Sequence, residues 1–135
     1  MDRKEVMAFF NKRPRNCLIS TANNKGEVNV AVYGSPRMID ENTVVLGTGN
    51  KRSYQYLKEN SKAAIIVAEP GEITHDSNAV RIYLDVVSIE TEGDLYEEVK
   101  AGVAKRVGKE AADGFQAAIR LKITEVRPLI APPIS

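Results

Sequence analysis

The chain has 135 residues, which sets the expectation of one domain spanning residues 1–135 and large enough to hold a core. Its hydrophobic fraction of 43% and charged fraction of 27% are those of an ordinary globular protein. A formal net charge of +1 argues against a dedicated nucleic-acid binder, and the lone cysteine, Cys17, excludes an intrachain disulfide or a cysteine-based zinc site.

The chain opens with the charged run Met1-Asp2-Arg3-Lys4-Glu5 and holds no apolar stretch long enough for secretion or a membrane span. A cytoplasmic protein without membrane contact is expected. Asp2 and Glu5 have the spacing of a capping box, Val6, Phe9 and Phe10 fall on one helical face, and Pro14 limits the helix. The basic segment Lys12-Arg13-Pro14-Arg15 reads as a solvated helix end, with contact to an anionic ligand tail or a membrane surface as alternatives.

Cys17–Ala22 predicts a strand and Asn23–Gly26 the turn after it. Cys17 itself reads as a small core residue, because nothing near it in sequence lowers its pKa. Then comes a clean alternation, with Val28, Val30 and Val32 on one face and Asn29, Ala31 and Tyr33 on the other. Asp40-Glu41-Asn42 turns the chain into a short strand, Thr43–Leu46.

Residues 43–60 carry the chemistry. The strand passes through Gly47 and Gly49 into Lys51-Arg52-Ser53, where a helix begins with Ser53 as its expected cap. Two cations, a hydroxyl and unpaired amide N–H groups at one helix N-terminus are what a phosphate needs. Small residues at 47 and 49 are expected to let a ligand lie against the strand backbone. A solvated basic turn explains Lys51-Arg52-Ser53 equally well in isolation; the two preceding glycines favour a phosphate-anchored cofactor site.

Beyond this helix, Ala63–Ala68 is an apolar strand with burial expected on both faces, and residues 69–78 form a polar loop. That loop holds the lone histidine, His75, which reads as exposed rather than catalytic. Ala79–Glu92 is a long strand: Val80, Ile82, Leu84 and Val86 share a face, then Val87 and Ile89 continue one residue out of phase, as a β-bulge produces. Asp94 and Glu97 are expected to cap a helix with Leu95, Val99, Val103 and Val107 at four-residue spacing, ended by Gly108. Ile119, Leu121 and Ile123 alternate in a sixth strand before an irregular apolar tail, residues 129–135, suited to packing on a partner surface. Six strands without a βαβ rhythm predict a mainly β fold, a small antiparallel barrel with accessory helices, rather than a Rossmann sheet.

The order strand, turn, Val-Asn-Val-Ala-Val-Tyr strand, acidic turn, short strand, Gly-x-Gly-x-Lys-Arg-Ser, helix ending Leu57-Lys-Glu-Asn60, apolar strand resembles the flavin-binding split barrels related to pyridoxamine 5′-phosphate oxidase. The likeness is closest to their short single-domain members and runs over residues 15–69. It implies a six-stranded antiparallel split β-barrel, and a homodimer with flavin mononucleotide (FMN) at the subunit interface. Arg52 and Ser53 would grip the phosphate with Lys51 nearby. The backbone of Val30, Ala31 and Val32 would run beside the isoalloxazine ring, and Gly47, Thr48 and Gly49 beside the ribityl chain. Asn29 and Tyr33 can hydrogen-bond a flavin edge or stand as polar residues on the outer face; Arg81 and Tyr83 can approach a partner's cofactor. Tyr56 departs from the family, which often has Asn before the helix Leu.

The resemblance carries no catalytic residue, and pyridoxamine phosphate oxidase activity is not assigned. It implies an FMN-dependent oxidoreductase or electron carrier, in which the cofactor supplies the redox chemistry. The alternatives are a relative that binds coenzyme F420 or heme and, from another class, a non-redox small-barrel module. Near-neutral charge and few aromatic residues speak against an oligonucleotide-binding barrel.

Overall fold

The computed structural model describes residues 1–72 and 78–129. The elements run α1 (Arg3–Asn11), β1 (Asn16–Ala22), β2 (Val28–Val32), β3 (Arg37–Asp40), β4 (Thr43–Gly49) and α2 (Arg52–Glu59). They continue with β5 (Lys62–Ala68), β6 (Ala79–Glu90), α3 (Asp94–Val107), α4 (Lys109–Asp113) and β7 (Phe115–Pro128). His75 and residues 130–135 of the expected tail lie outside the described residues.

All strand pairs are antiparallel, in the order β2-β1-β5-β6-β7-β4-β3. The outermost strands, β2 and β3, are consecutive in the chain and joined by residues 33–36. The five Cα–Cα steps from Val32 to Arg37 span at most about 18 Å. The six strand spacings of a flat sheet in this order would take about 29 Å. The sheet must curl until its edges approach, and the result is a split barrel with mainly β content. The seventh strand is β3, which the sequence hid: it is four residues long and only Met38 in it is fully buried.

The barrel interior is filled by Ile19, Leu46, Ile65, Ile82, Leu84, Ile119 and Leu121, with Val6 and Phe10 of α1 packed into the same core. Burying such a side chain contributes about 1.5–3 kcal/mol. The start of α1 is fixed by the expected capping box: Glu5 N–H donates to Asp2 Oδ1 at 2.9 Å, and Asp2 N–H to Glu5 Oε1 at 3.3 Å. The β1–β2 turn is organised by Asn23, whose Oδ1 accepts from the N–H groups of Lys25 and Glu27, while Gly26 supplies the positive φ of 80°.

The phase slip in the long strand is real. The β6–β7 register shifts between Val86 and Ser88, leaving Val87 unpaired. Val87 does not share a face with Ile89 as expected; it is exposed, whereas Ile89 packs against the core. β5 is likewise less buried than expected, with Ala63, Ile65 and Val67 inside and Ala64 and Ile66 half-buried. In α3 the cap is Gly93, with Asp94 and Glu97 inside the first turn, where their charge faces the positive end of the helix dipole.

β4 runs through both glycines instead of stopping at Leu46, because β7 continues alongside it: Gly47 pairs with Ala118 and Gly49 with Phe115. On the outer face of these strands a second cluster joins Val45, Val99, Phe115 and Ala118 under α3, with the Tyr96 and Phe115 ring centroids 5.0 Å apart. A Cβ at Gly47 would collide with the Phe115 ring and stand 2.9 Å from Val99 Cγ1. Gly47→Ala is therefore expected to destabilise the fold by about 1–3 kcal/mol, as overpacking does. Urea unfolding of the two proteins measures this, and equal midpoints would show that the ring yields freely.

Candidate functional site

The edges of the barrel meet where β2, the link of residues 33–36, the end of β4 and the start of α2 converge. The contacts there are side-chain hydrogen bonds. Tyr33 Oη lies 2.6 Å from Thr48 Oγ1. Ser35 Oγ donates to the Gly47 carbonyl at 2.9 Å and accepts from Gly47 N–H at 3.0 Å. Asn29 Nδ2 donates to Ser53 Oγ at 3.2 Å. These bonds give Asn29 and Tyr33 partners inside the chain, which neither sequence reading of them had foreseen.

Ser53 is not the helix cap. Lys51 holds that position with no side-chain cap bond, and its N–H donates to the Gly49 carbonyl at 2.9 Å. Ser53 sits inside the first turn, 2% exposed, where Asn29 takes its hydroxyl as an acceptor and leaves its O–H free to donate. The first backbone bond of the helix runs from Gln55 N–H to the Lys51 carbonyl. The N–H groups of Arg52, Ser53 and Tyr54 thus have no partner among the described residues. The exposed side chains of Lys51 and Arg52 form no ion pair there either. An uncapped helix start with two unpaired cations is electrostatically primed for an anion.

Beside it lies a groove of about 170 Å³, lined by Val32 to Ser35, Gly47 to Gly49, Lys51, Val103 and Val107. The structure thus gathers Val32, Gly47, Thr48, Gly49 and Lys51 in one place, with the bonded pair Asn29 and Ser53 linking β2 to α2. It does not bring Val30, Ala31 or Arg52 into that lining. Val30 points outward, Ala31 packs against the core and Arg52 stands exposed on the helix. The glycines serve differently from the expectation: the space where their side chains would be is taken by Phe115 and by the Gly114 carbonyl, 2.9 Å from a Cβ at Gly49. Their contribution to the groove is exposed backbone.

Gly34, Ser35, Val103 and Val107 were missed as site residues. Val107 had left a signal, being the last member of an apolar stripe longer than the core could cover; it is 70% exposed. Ser35 left none, because its role depends on a strand distant in sequence. Arg81 donates to the Pro128 carbonyl at 3.1 Å, and the Tyr83 carbonyl accepts from Thr124; neither lines the groove. A larger hollow of about 500 Å³, between the start of α1 and the paired ends of β6 and β7, holds none of the predicted site residues. No group of three or more metal-ligating side chains occurs among the described residues.

Cys17 is buried at the start of β1 and is a free thiol. Burial pushes its pKa up, although Arg15 and Arg13 pull it the other way; these two cations lie only two and four residues upstream, so the expectation that nothing near Cys17 in sequence lowers its pKa is corrected. The thiol stays protonated at neutral pH. Iodoacetamide is expected to label native protein slowly and urea-unfolded protein readily; equal rates would show that Cys17 is accessible and activated.

No protein-family model matches the chain, and no curated protein matches it by sequence. Solved structures do. An FMN-binding protein from Syntrophomonas wolfei subsp. wolfei superposes with a TM-score of 0.82 at 20% identity, over 96% of this chain and 87% of that one. The heme storage protein HutZ of Vibrio cholerae gives 0.71 at 16% identity, over 95% of each chain. An F420 reductase gives 0.67 at 16% identity, over 91% of this chain and 94% of that one. At these identities the likeness shows the fold: this chain is a split barrel of the kind found in FMN-binding proteins.

Proposed function

We propose that the protein is an FMN-binding flavoprotein, acting as an oxidoreductase or electron carrier with the flavin at a homodimer interface. The observation that carries this reading is the uncapped start of α2, where Lys51, Arg52 and three unpartnered N–H groups open beside the groove. These donors fit a phosphate monoester. Lys51 and Arg52 would hold it, the N–H groups would complete its hydrogen bonds, and Ser53, steadied by Asn29, would add its hydroxyl. Backbone of Gly47, Thr48 and Gly49 would flank the ribityl chain, and that of Val30, Ala31 and Val32 the ring. When bound, the flavin supplies the hydride or electron transfer; the residues of this chain bind and orient it.

Two features support a second copy. The groove is smaller than the roughly 300–1,000 Å³ of a self-sufficient ligand pocket, which fits a half-site. Val28, Val30 and Val32 are 76%, 65% and 80% exposed along edge strand β2, an apolar row on a strand with an unpaired side. No helix among the described residues is long and apolar enough to cross a membrane. The unpaired Cys17 suits the reducing cytoplasm, where we place the protein.

A second reading keeps the barrel and replaces FMN with coenzyme F420 or heme, because two structures of this fold are an F420 reductase and a heme storage protein. The cations at α2 suit the F420 phosphodiester as well.

Purified protein is expected to show a flavin absorption spectrum, retained after desalting, at about one flavin per chain; competition among FMN, F420 and heme ranks the ligands. Lys51→Gln/Arg52→Gln is expected to weaken FMN binding about 10- to 100-fold, given about 1.5–3 kcal/mol for a hydrogen bond to a charged group. Unchanged affinity would remove the anchor. In light scattering the wild type is expected to be a dimer and Val30→Lys a monomer; a wild-type monomer would count against the interface site.

A further inference from the structure

The basic segment before β1 finds its partner across the molecule. Arg15 is a half-buried bracket: its guanidinium donates to the carbonyls of Phe10 and Pro36 and, at 3.1 Å, to that of Gly34, and it lies over the Phe10 ring. Arg106, from the last turn of α3, donates to the same Gly34 carbonyl at 3.5 Å. Two guanidinium groups from opposite ends of the sequence therefore converge on one carbonyl, in a residue that lines the groove. Arg13, two residues before Arg15, is exposed and has no hydrogen-bond or ion-pair partner among the described residues.

None of the three arginines forms an ion pair with a described carboxylate. Their electrostatics reflect that lack of compensation. Burial above all presses the Arg15 pKa down to about 10; Cys17 pulls it up by less than that, and Arg13 and Arg106 add smaller downward pushes. Burial and Arg106 also lower that of Arg13. The three guanidinium groups are held together with no acid between them among the described residues. Arg15 has a structural reason to be there. Among the described residues Arg106 spends only one long bond, on Gly34, and Arg13 none, so their planar donor forks stay open to a carboxylate or phosphate.

We infer that Arg13 and Arg106, gathered with Arg15 at the Gly34 flank of the groove, receive a phosphate or carboxylate group of the molecule on which the bound cofactor acts. The substrate class is thus a small oxyanion-bearing compound. Assigning the oxyanion to a substrate rests on the flavin reading, in which Lys51 and Arg52 already hold the cofactor phosphate; the existence of the oxyanion site does not.

The test compares wild type, Arg13→Gln/Arg106→Gln, and a control of equal charge change, Lys25→Gln/Lys122→Gln, both of whose lysines are exposed elsewhere. Inorganic phosphate is titrated by calorimetry at constant ionic strength, with and without saturating FMN, and FMN affinity is measured separately. With FMN saturating, the expected result is saturable phosphate binding in wild type and control, weakened about tenfold or more in the arginine variant at unchanged FMN affinity. With FMN saturating the α2 site, phosphate binding that survives in the variant, or is absent from wild type, overturns the inference. A parallel fall in FMN affinity shows that the arginines hold the cofactor's own phosphate, and overturns the substrate assignment. Phosphate binding lost in the variant while neither protein binds FMN upholds the oxyanion site and discards the flavin reading. Thermal unfolding, expected to be unchanged in the variant, separates loss of the site from loss of fold.

Discussion

The four-residue link between β2 and β3 constrains everything around it. It joins the two outermost strands of a seven-stranded sheet, so the sheet must curl to let the chain pass. Because the link is too short to be a free loop, its residues become structural contacts. Tyr33 and Ser35 reach β4 by side chain, and Ser35 supplies one donor and one acceptor to the Gly47 backbone. The Gly34 and Pro36 carbonyls receive Arg15. The segment that closes the barrel is thereby also a wall of the groove.

Opposite that wall the chain leaves β4 and enters α2 in two residues, Asn50 and Lys51. The residue at the cap position is a lysine, which cannot accept from an N–H, so the helix start has no side-chain cap. The Asn29–Ser53 bond anchors the first turn from the side instead. The helix start is consequently held in place while its donors stay unmet. A cap would stabilise the helix by about 1 kcal/mol and fill the place where an anion would sit. The net charge of +1 hides a local clustering of cations: Lys51 and Arg52 at the start of α2, and Arg15 and Arg106 at the Gly34 carbonyl.

The exposed apolar residues follow the same geometry. Among the described residues β2 pairs with β1 alone, and no described element covers its outward valines. α3 carries its apolar stripe past the end of the core, to Val107 at the groove. Both features lie beside the predicted cofactor residues, which is why we read the groove as half of a shared site.

Much of this was legible in the sequence. The capping box of Asp2 and Glu5, the β2 alternation, the slip near Val87 and the helix stop at Gly108 are local signals, set by spacings of a few residues and by the φ/ψ preferences of single residue types. The Gly-x-Gly-x-Lys-Arg-Ser stretch likewise marked a strand that runs directly into a helix start carrying two cations. What sequence could not supply were the relations between distant segments. The space at Gly47 belongs to Phe115, Asn29 and Tyr33 spend their polar groups on Ser53 and Thr48, and Arg15 meets Arg106 over Gly34. Strand β3 stayed hidden because so few of its residues are buried. Periodicity decides which face of an element is apolar; only the closed sheet decides what that face, or a polar residue opposite it, will touch.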